Sequence, residues 1–359
     1  MKPKRILFAA VDTNYRMAHY AKFIATQLPN TLKADTFSKV VLPPNHYATS
    51  YTYTCPIYEW SALRTYIYCA CFFVYSLCVY DVFHFIAGEN ILTRKLRKLE
   101  LSIYQLLGKR VIMHFAGADV RSNNYIDWKR EHIVEYLSGV KNTNYTEPFQ
   151  DALIKNARKY GNAVLVSTPD MLDIIPEATY YPVVLDMEQV NIKLEKSTKK
   201  IKILYSPSSH RTKGSDYIHM ALEAILANNA NDVELITPSK LITNTNQYSL
   251  TRYELLQQMS QAHIVIDQLI IGWYGLKTIE ALALGCEVVC YIDDAYAHNL
   301  FDNCPIHNAN VNNLQGVIQS VIHKVKANKL LPNTQTIQWV KKHHTIEQNN
   351  TALKKAWGV

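Results

Sequence analysis

At 359 residues the chain is long enough for two domains that each bury a core of their own. Apolar residues at 48% against 19% charged exclude a disordered chain, and a net charge of +8 asks for anionic partners without choosing among phosphorylated small molecules, an acidic membrane surface and nucleic acid. Seven cysteines (Cys55, Cys69, Cys71, Cys78, Cys286, Cys290, Cys304) form no CxxC pair and no regular framework, and most sit in apolar runs, so they read as buried free thiols of a reducing, cytoplasmic compartment.

The basic start MKPKR leads into an apolar run at residues 6–11 that is too short for a secretory signal and is closed by Asp12; it reads as the first strand. Further strand-like runs follow at 81–87, 109–116, 162–168, 200–206, 232–237, 262–267 and 287–292, with helical patterns between them, for example at 17–28 and 215–228. Most strands are continuously apolar, as required when helices cover both faces of a parallel sheet. The uncharged stretch TYIYCACFFVYSLCVY (65–80) is shorter than the roughly 20 residues a spanning helix needs and carries several tyrosines, so a helix buried against a sheet is expected there. After it, NILTRKLRKLELSIYQLLGKR sets Leu92, Leu96, Leu99, Ile103 and Leu106 at helical spacing with Arg94, Lys95, Arg97 and Lys98 between them. Two readings fit this segment: a helix resting on an anionic bilayer, or one resting on the sheet with a solvated basic face.

Pro182 and a rise in charge mark a boundary, after which a fresh strand begins near Lys200. The fold class is α/β with two doubly wound Rossmann-like domains. The first spans 1–185 with the C-terminal helical tail 336–359, and the second spans 186–335.

Ligands of open α/β sheets bind at the carboxyl ends of strands, and three clusters fall there. In YSPSSHRTKGSDYIHMALEAI, a polar loop presents Arg211 and Lys213, Gly214 permits close approach, and Ser215 or Asp216 caps a helix, an arrangement that suits a diphosphate and equally a solvated basic loop. In GWYGLKTIEALALGCEVVCYI, a turn at Trp273–Gly275 opens a helix whose first amides, at Leu276, Lys277 and Thr278, are free donors, and Glu280 lies within reach of the same ligand. In VIMHFAGADVRSN, His114 reads as a hydrogen-bonded core residue, while Asp119 and Arg121 either face a ligand or pair with each other. No D-x-D pair and no His/Cys ligand cluster appears, since Asp293 and Asp294 are adjacent and His343 and His344 sit in the polar tail, so no metal and no cofactor is expected. The scattered charge carries no nucleic-acid module.

Taken in order, HFAGADVR, LVSTPDMLDIIPEATYYPVVLD, SPSSHRTKG, DQLIIGWYGLKTIEALALGCEVVCYI and the helical tail resemble the retaining glycosyltransferases of the GT-B fold, family 4, which build bacterial surface glycans. The resemblance implies two domains facing across a cleft and metal-independent transfer of a sugar from a nucleotide diphosphate donor, with retention, to a glycan or lipid-linked acceptor at the inner face of the cell membrane. It would have Lys213 and Arg211 hold the diphosphate, Glu280 bind the ribose, and Ser209 with Tyr274, Gly275, Leu276, Lys277 and Thr278 meet phosphate and donor sugar. It would make Arg211, Lys213 and Asp119 the catalytic residues, with Gly117, Arg121, Asn14, Tyr15, Arg16, Gly88 and Asn90 lining the acceptor side. Two departures stand out: Gly272 occupies the place of a glutamate frequent eight residues before Glu280, and DTNYR replaces the paired glycines of the first turn. A sugar-nucleotide epimerase of the same architecture and a catalytically silent nucleotide-sugar binder remain as other readings.

Overall fold

The computed structural model describes residues 2–12, 16–40, 51–121, 147–197, 199–207, 213–236, 250–329 and 331–359. They form two units, the first comprising the described residues up to 121, those from 147 to 182 and Asn349–Val359, the second Val183–Gln348.

The first unit holds a seven-stranded sheet of β1 (Lys4–Ala10), β2 (Leu32–Ser38), β3 (Tyr53–Thr54), β4 (Val82–Ile86), β5 (Arg110–Phe115), β6 (Ala163–Val166) and β7 (Thr179–Tyr180). Their order is β3-β2-β1-β4-β5-β6-β7 and every pairing is parallel. Helices α1 (Arg16–Gln27), α2 (Ala62–Val79), α3 (Arg97–Leu106) and α4 (Glu147–Tyr160) connect the strands. Because helices bury the sheet, β4 (VFHFI) is buried along its whole length, and Phe83, Phe85, Phe73 and Tyr104 join in one aromatic cluster.

The second unit repeats the plan with five parallel strands, β8 (Ile201–Tyr205), β9 (Val233–Ile236), β10 (Ile264–Ile266), β11 (Glu287–Cys290) and β12 (His307–Asn308), in the order β12-β11-β10-β8-β9. Its helices are α5 (Ser215–Asn229), α6 (Arg252–Gln261), α7 (Leu276–Ala283), α8 (Leu314–Ala327) and α9 (Thr334–His343). A capping box of Thr251 and Glu254 starts α6. Gly285, at φ 68°, ends α7, its amide bonding Leu282 O and that of Cys286 bonding Ala281 O; a Cβ there would press on Pro332 at 3.0 Å.

Two expectations change. The helix at 65–80 forms, as α2 from Ala62, but it is not buried against the sheet: Cys69, Phe72, Phe73 and Ser76 face inward, while Leu63, Tyr66, Ile67, Val74 and Tyr75 are exposed, and with them Cys71 and Cys78, two thiols expected to be buried. An apolar helix on one side of a sheet can bury only one face, and among the described residues nothing covers the other. The polar tail, read as one helix crossing back from 336, is two. Helix α9 stays with the second unit, where Thr336 Oγ1 donates to Leu282 O at 2.9 Å and Trp339 Nε1 to Asp302 O at 3.0 Å. The return is made by α10 (Ile346–Trp357), from Asn349 onward. It is anchored by the buried Trp357, whose ring meets Phe8 edge-on at 5.9 Å and whose Nε1 donates to His84 Nδ1 at 3.1 Å.

Candidate active site

In the second unit the chain runs from β8 to β9 on one side, then returns to place β10 on the other side of β8. The connections leaving β8 and β10 therefore part company, and a crevice opens where they diverge. Lys213 arrives from the first of these connections and residues 276–278 from the second.

Asp267, directly after β10, ties them together. Its Oδ1 accepts from Lys213 Nζ at 2.9 Å and lies 3.9 Å from Lys277 Nζ, while Thr278 Oγ1 donates to its Oδ2 at 2.8 Å. Lys213 also donates to Gln268 Oε1 at 2.9 Å, and Lys277 reaches across to the carbonyl of Ser206 after β8. Gly214, in the left-handed region at φ 78°, lets this loop lie against Ile270, and Leu269 N bonds Lys213 O at 3.2 Å.

Two ammonium groups thus face one carboxylate, next to the amino ends of α5 and α7, whose dipoles add positive potential. Burial alone would raise Asp267, but Lys213 and Lys277 hold it below its ordinary value. Burial depresses Lys277 to about 8 despite Asp267, so this ammonium lacks full compensation. An anion placed beside it would supply what is missing.

Of the other donor-side candidates, Gly275 is the extended N-cap of α7, and a Cβ there would meet open space. Tyr274 turns away from the cluster: its ring stacks on Trp273 and its hydroxyl lies 3.2 Å from His344 Nε2, leaving its backbone as the part next to α7. His344 is held in turn by Val183 O and depressed to about 4 by burial, which makes it a neutral structural histidine. Glu280 is buried and accepts from Arg252 Nε at 2.8 Å; burial raises it, partly offset by that arginine. Gly272 has φ 76°, so the position where the resemblance places a glutamate has a backbone that strains any side chain with a Cβ. Ser209 and Arg211 lie outside the described residues.

Asp267, Gln268 and Arg252 were not among the sequence candidates. An aspartate closing an apolar strand at its carboxyl end was a readable signal for Asp267. Nothing in the local sequence pairs Arg252 with Glu280.

The first unit has its own divergence, with β2 on one side of β1 and β4 on the other. Arg16 follows β1; Asn14 and Tyr15 lie outside the described residues. Asp12 accepts the amides of Arg16 and Met17 and so starts α1. The Arg16 guanidinium is buried against neutral groups, Ser167 Oγ and His114 Nε2, and its Nε has no partner among the described residues. His114 is a core residue as expected, kept well below its ordinary pKa by burial and by the Arg16 charge. Gly88 follows Ala87 in a left-handed turn after β4 and lies over Leu153. Asn90 is buried, its side-chain oxygen accepting from Arg97 Nε at 2.9 Å.

Beyond β5, Asp119 and Arg121 do not bond each other. Both oxygens of Asp119 are spent on backbone amides, those of Ala116 and Gly117 at 2.6–3.2 Å, and burial raises its pKa against that support. Arg121 forks onto Asp170 at 2.6 and 3.0 Å and donates to Thr168 Oγ1. These two shape the loop at Gly117.

Among the described residues no group of three or more His, Cys, Asp or Glu could hold a metal ion. No family model matches the sequence, and neither does any curated protein. Solved structures do match over nearly the whole chain. The Anabaena protein HepE, solved with UDP, superposes with a TM-score of 0.56 at 10% identity, covering 99% of this chain and all of its own. The catalytic domain of Arabidopsis thaliana starch synthase IV, bound to ADP and acarbose, gives 0.55 at 9%, covering 100% and 99%. A Listeria monocytogenes structure described as a putative UDP-N-acetylglucosamine 2-epimerase gives 0.54 at 11%, covering 99% and 97%. The fold is that of the GT-B glycosyltransferases, two parallel sheets of seven and five strands flanked by helices.

Proposed function

We propose that the chain is a glycosyltransferase that takes a sugar from a nucleotide diphosphate donor and transfers it, with retention at the anomeric carbon, to a glycan or lipid-linked acceptor. The observation that carries this reading is the pair Lys213 and Lys277 on the single carboxylate of Asp267 at the divergence of β8 and β10. The diphosphate binds beside these two ammonium groups and the first amides of α7. As the bond to the sugar breaks, charge accumulates on the β-phosphate, and cations and dipoles already in place stabilise it without reorganisation. Asp267 holds both lysines in position; it does not touch the donor. The leaving phosphate accepts the acceptor's proton, so neither a metal nor a protein base is needed.

On the acceptor side the favoured residue is Arg16, a buried cation without a carboxylate partner among the described residues, in the same unit as the turn at Gly88 and the loop shaped by Asp119 and Arg121. Such an enzyme works in the cytoplasm on bacterial polysaccharide, lipopolysaccharide or capsule, at the inner face of the membrane when the acceptor is a lipid.

The buried ion pair of Glu280 with Arg252 favours a second reading, a nucleotide-sugar binder without activity, because a carboxylate so engaged must exchange partners to reach a ribose. Donor hydrolysis and transfer to glycan acceptors separate the two. Activity in the wild type, lost in Lys213→Ala and reduced in Glu280→Ala, supports the enzyme; the same background in all three supports the silent binder.

A further inference from the structure

Helix α2 has no charged residue from Thr65 to its end, and only 22% of it is buried. Its outward stripe of Leu63, Ile67, Val74 and Cys78, flanked by Tyr66 and Tyr75, runs the length of the helix, about 27 Å at 1.5 Å per residue. Helix α3 lies beside it, Phe73 meeting Tyr104 edge-on at 5.6 Å. That helix, the turn before it and the residue that caps its end expose Leu96, Leu99, Leu106 and Leu107. The outer faces of both helices therefore carry several large apolar side chains exposed to water, more than the scattered single residues usual on a free surface.

The charges around this surface choose its occupant. Across α2, the turn Arg94–Leu96 and α3, the exposed charged side chains are Arg64, Arg94, Lys95 and Lys98, all positive; Arg94 pairs with Glu89 at 2.6 Å, and Glu59 and Asp81 stand just beyond the two ends of α2, so Arg64, Lys95 and Lys98 set the charge of this face. The one carboxylate of these elements, Glu100, is turned inward, accepting the amides of Ile91 and Leu92 at 3.0 and 2.7 Å and the Tyr104 hydroxyl at 3.0 Å. Arg64 lies over Trp60, 4.0 Å from its ring, at the amino end of α2. A second copy of the chain would bring the same cations against themselves. An apolar strip edged by tyrosine, tryptophan and lysine instead matches the boundary between acyl chains and anionic headgroups.

We infer that the outer faces of α2 and α3 dock the protein on an anionic lipid bilayer. The inference deepens the acceptor side of the proposed function, giving a lipid-linked acceptor a reason to be near, and it moves the membrane contact from residues 90–110 alone to a surface centred on α2.

The test is co-sedimentation of the full chain with vesicles of phosphatidylcholine alone and with about a third phosphatidylglycerol, at low and high salt, alongside sedimentation velocity without lipid. The wild type is expected to pellet with the anionic vesicles and to be released by salt. Since exposed side chains are changed, Ile67→Glu/Val74→Glu and Lys95→Glu/Lys98→Glu should keep the wild-type circular dichroism and melting temperature, yet each should lower the partition coefficient about tenfold or more. Equal binding to neutral and anionic vesicles, binding unchanged in both variants, or no binding at all would overturn the inference; in the last case dimerisation abolished by Ile67→Glu/Val74→Glu would assign the surface to a second copy. Vesicle binding is read without donor or acceptor. A chain that docks and transfers nothing keeps this inference and loses the proposed activity, and the converse result does the reverse.

Discussion

In the second unit two ammonium groups crowd one oxygen of Asp267 beside two helix amino ends, whereas in the first unit Asp119 is settled on backbone amides and Arg121 on Asp170, and Arg16 is the one cation there that meets only neutral groups, His114 and Ser167, among the described residues. Both places are topological divergences of a parallel sheet, so topology alone does not distinguish them. What differs is the balance of charge. A buried surplus of cations costs the free protein stability and is retained where an anion will offset it; a matched set shapes a loop.

Removing the shared carboxylate strikes the comparison hardest. Asp267→Ala leaves two mostly covered lysines without their shared carboxylate and should cost about 3 kcal/mol in chemical unfolding, whereas Arg16→Met should change it by about 1 kcal/mol or less. Equal effects would mean that the lysines are no more dependent on Asp267 than Arg16 is on its neutral neighbours.

Next comes the ligand. Lys213→Ala should weaken nucleoside diphosphate binding by about 1.5–3 kcal/mol, the usual worth of a charge-assisted hydrogen bond. Arg16→Met should leave that binding alone and lower transfer to the acceptor. The first unit supplies the control: Asp170→Asn removes the carboxylate charge that faces Arg121 and should destabilise by about 1–3 kcal/mol without altering nucleotide affinity.

The smallest expected effect is the most specific. Lys277 titrates at about 8 in the folded chain against an ordinary 10.5. Between those values the unfolded chain binds more protons, so stability rises with pH through this window, and the deficit is fully present below about 8. Lys277→Met should abolish that rise and, set against its lost bond to Ser206 O, gain about 1–2 kcal/mol at neutral pH in melts run from pH 6 to 10. A variant that keeps the slope would show that another group causes it.

Much of this fold was legible because its strands are continuously apolar. Eight strand-like runs stand out in the sequence, and each overlaps an observed strand, since a strand buried on both faces needs no period to be seen. Strand β2, LKADTFS, was missed because its polar residues break the run, and β3, β7 and β12 because two residues make no pattern. Lys213, Lys277 and Thr278 could be read because a strand end followed by a helix start is a local signal. The pairing of Glu280 with Arg252 joins residues 28 apart on two helices, and no local pattern encodes it. The outward face of α2 was misjudged for a related reason: composition says how apolar a helix is, not how many of its sides find a partner.

The central claim is that Lys213 and Lys277 form a pyrophosphate site. Isothermal titration of a panel of nucleoside diphosphates into the wild type and into Lys213→Ala/Lys277→Ala tests it most directly. At least one diphosphate should bind the wild type, with affinity falling as pH rises through about 8 because binding protonates Lys277, and should not bind the double variant. Equal binding by both proteins, or by neither, would contradict the account.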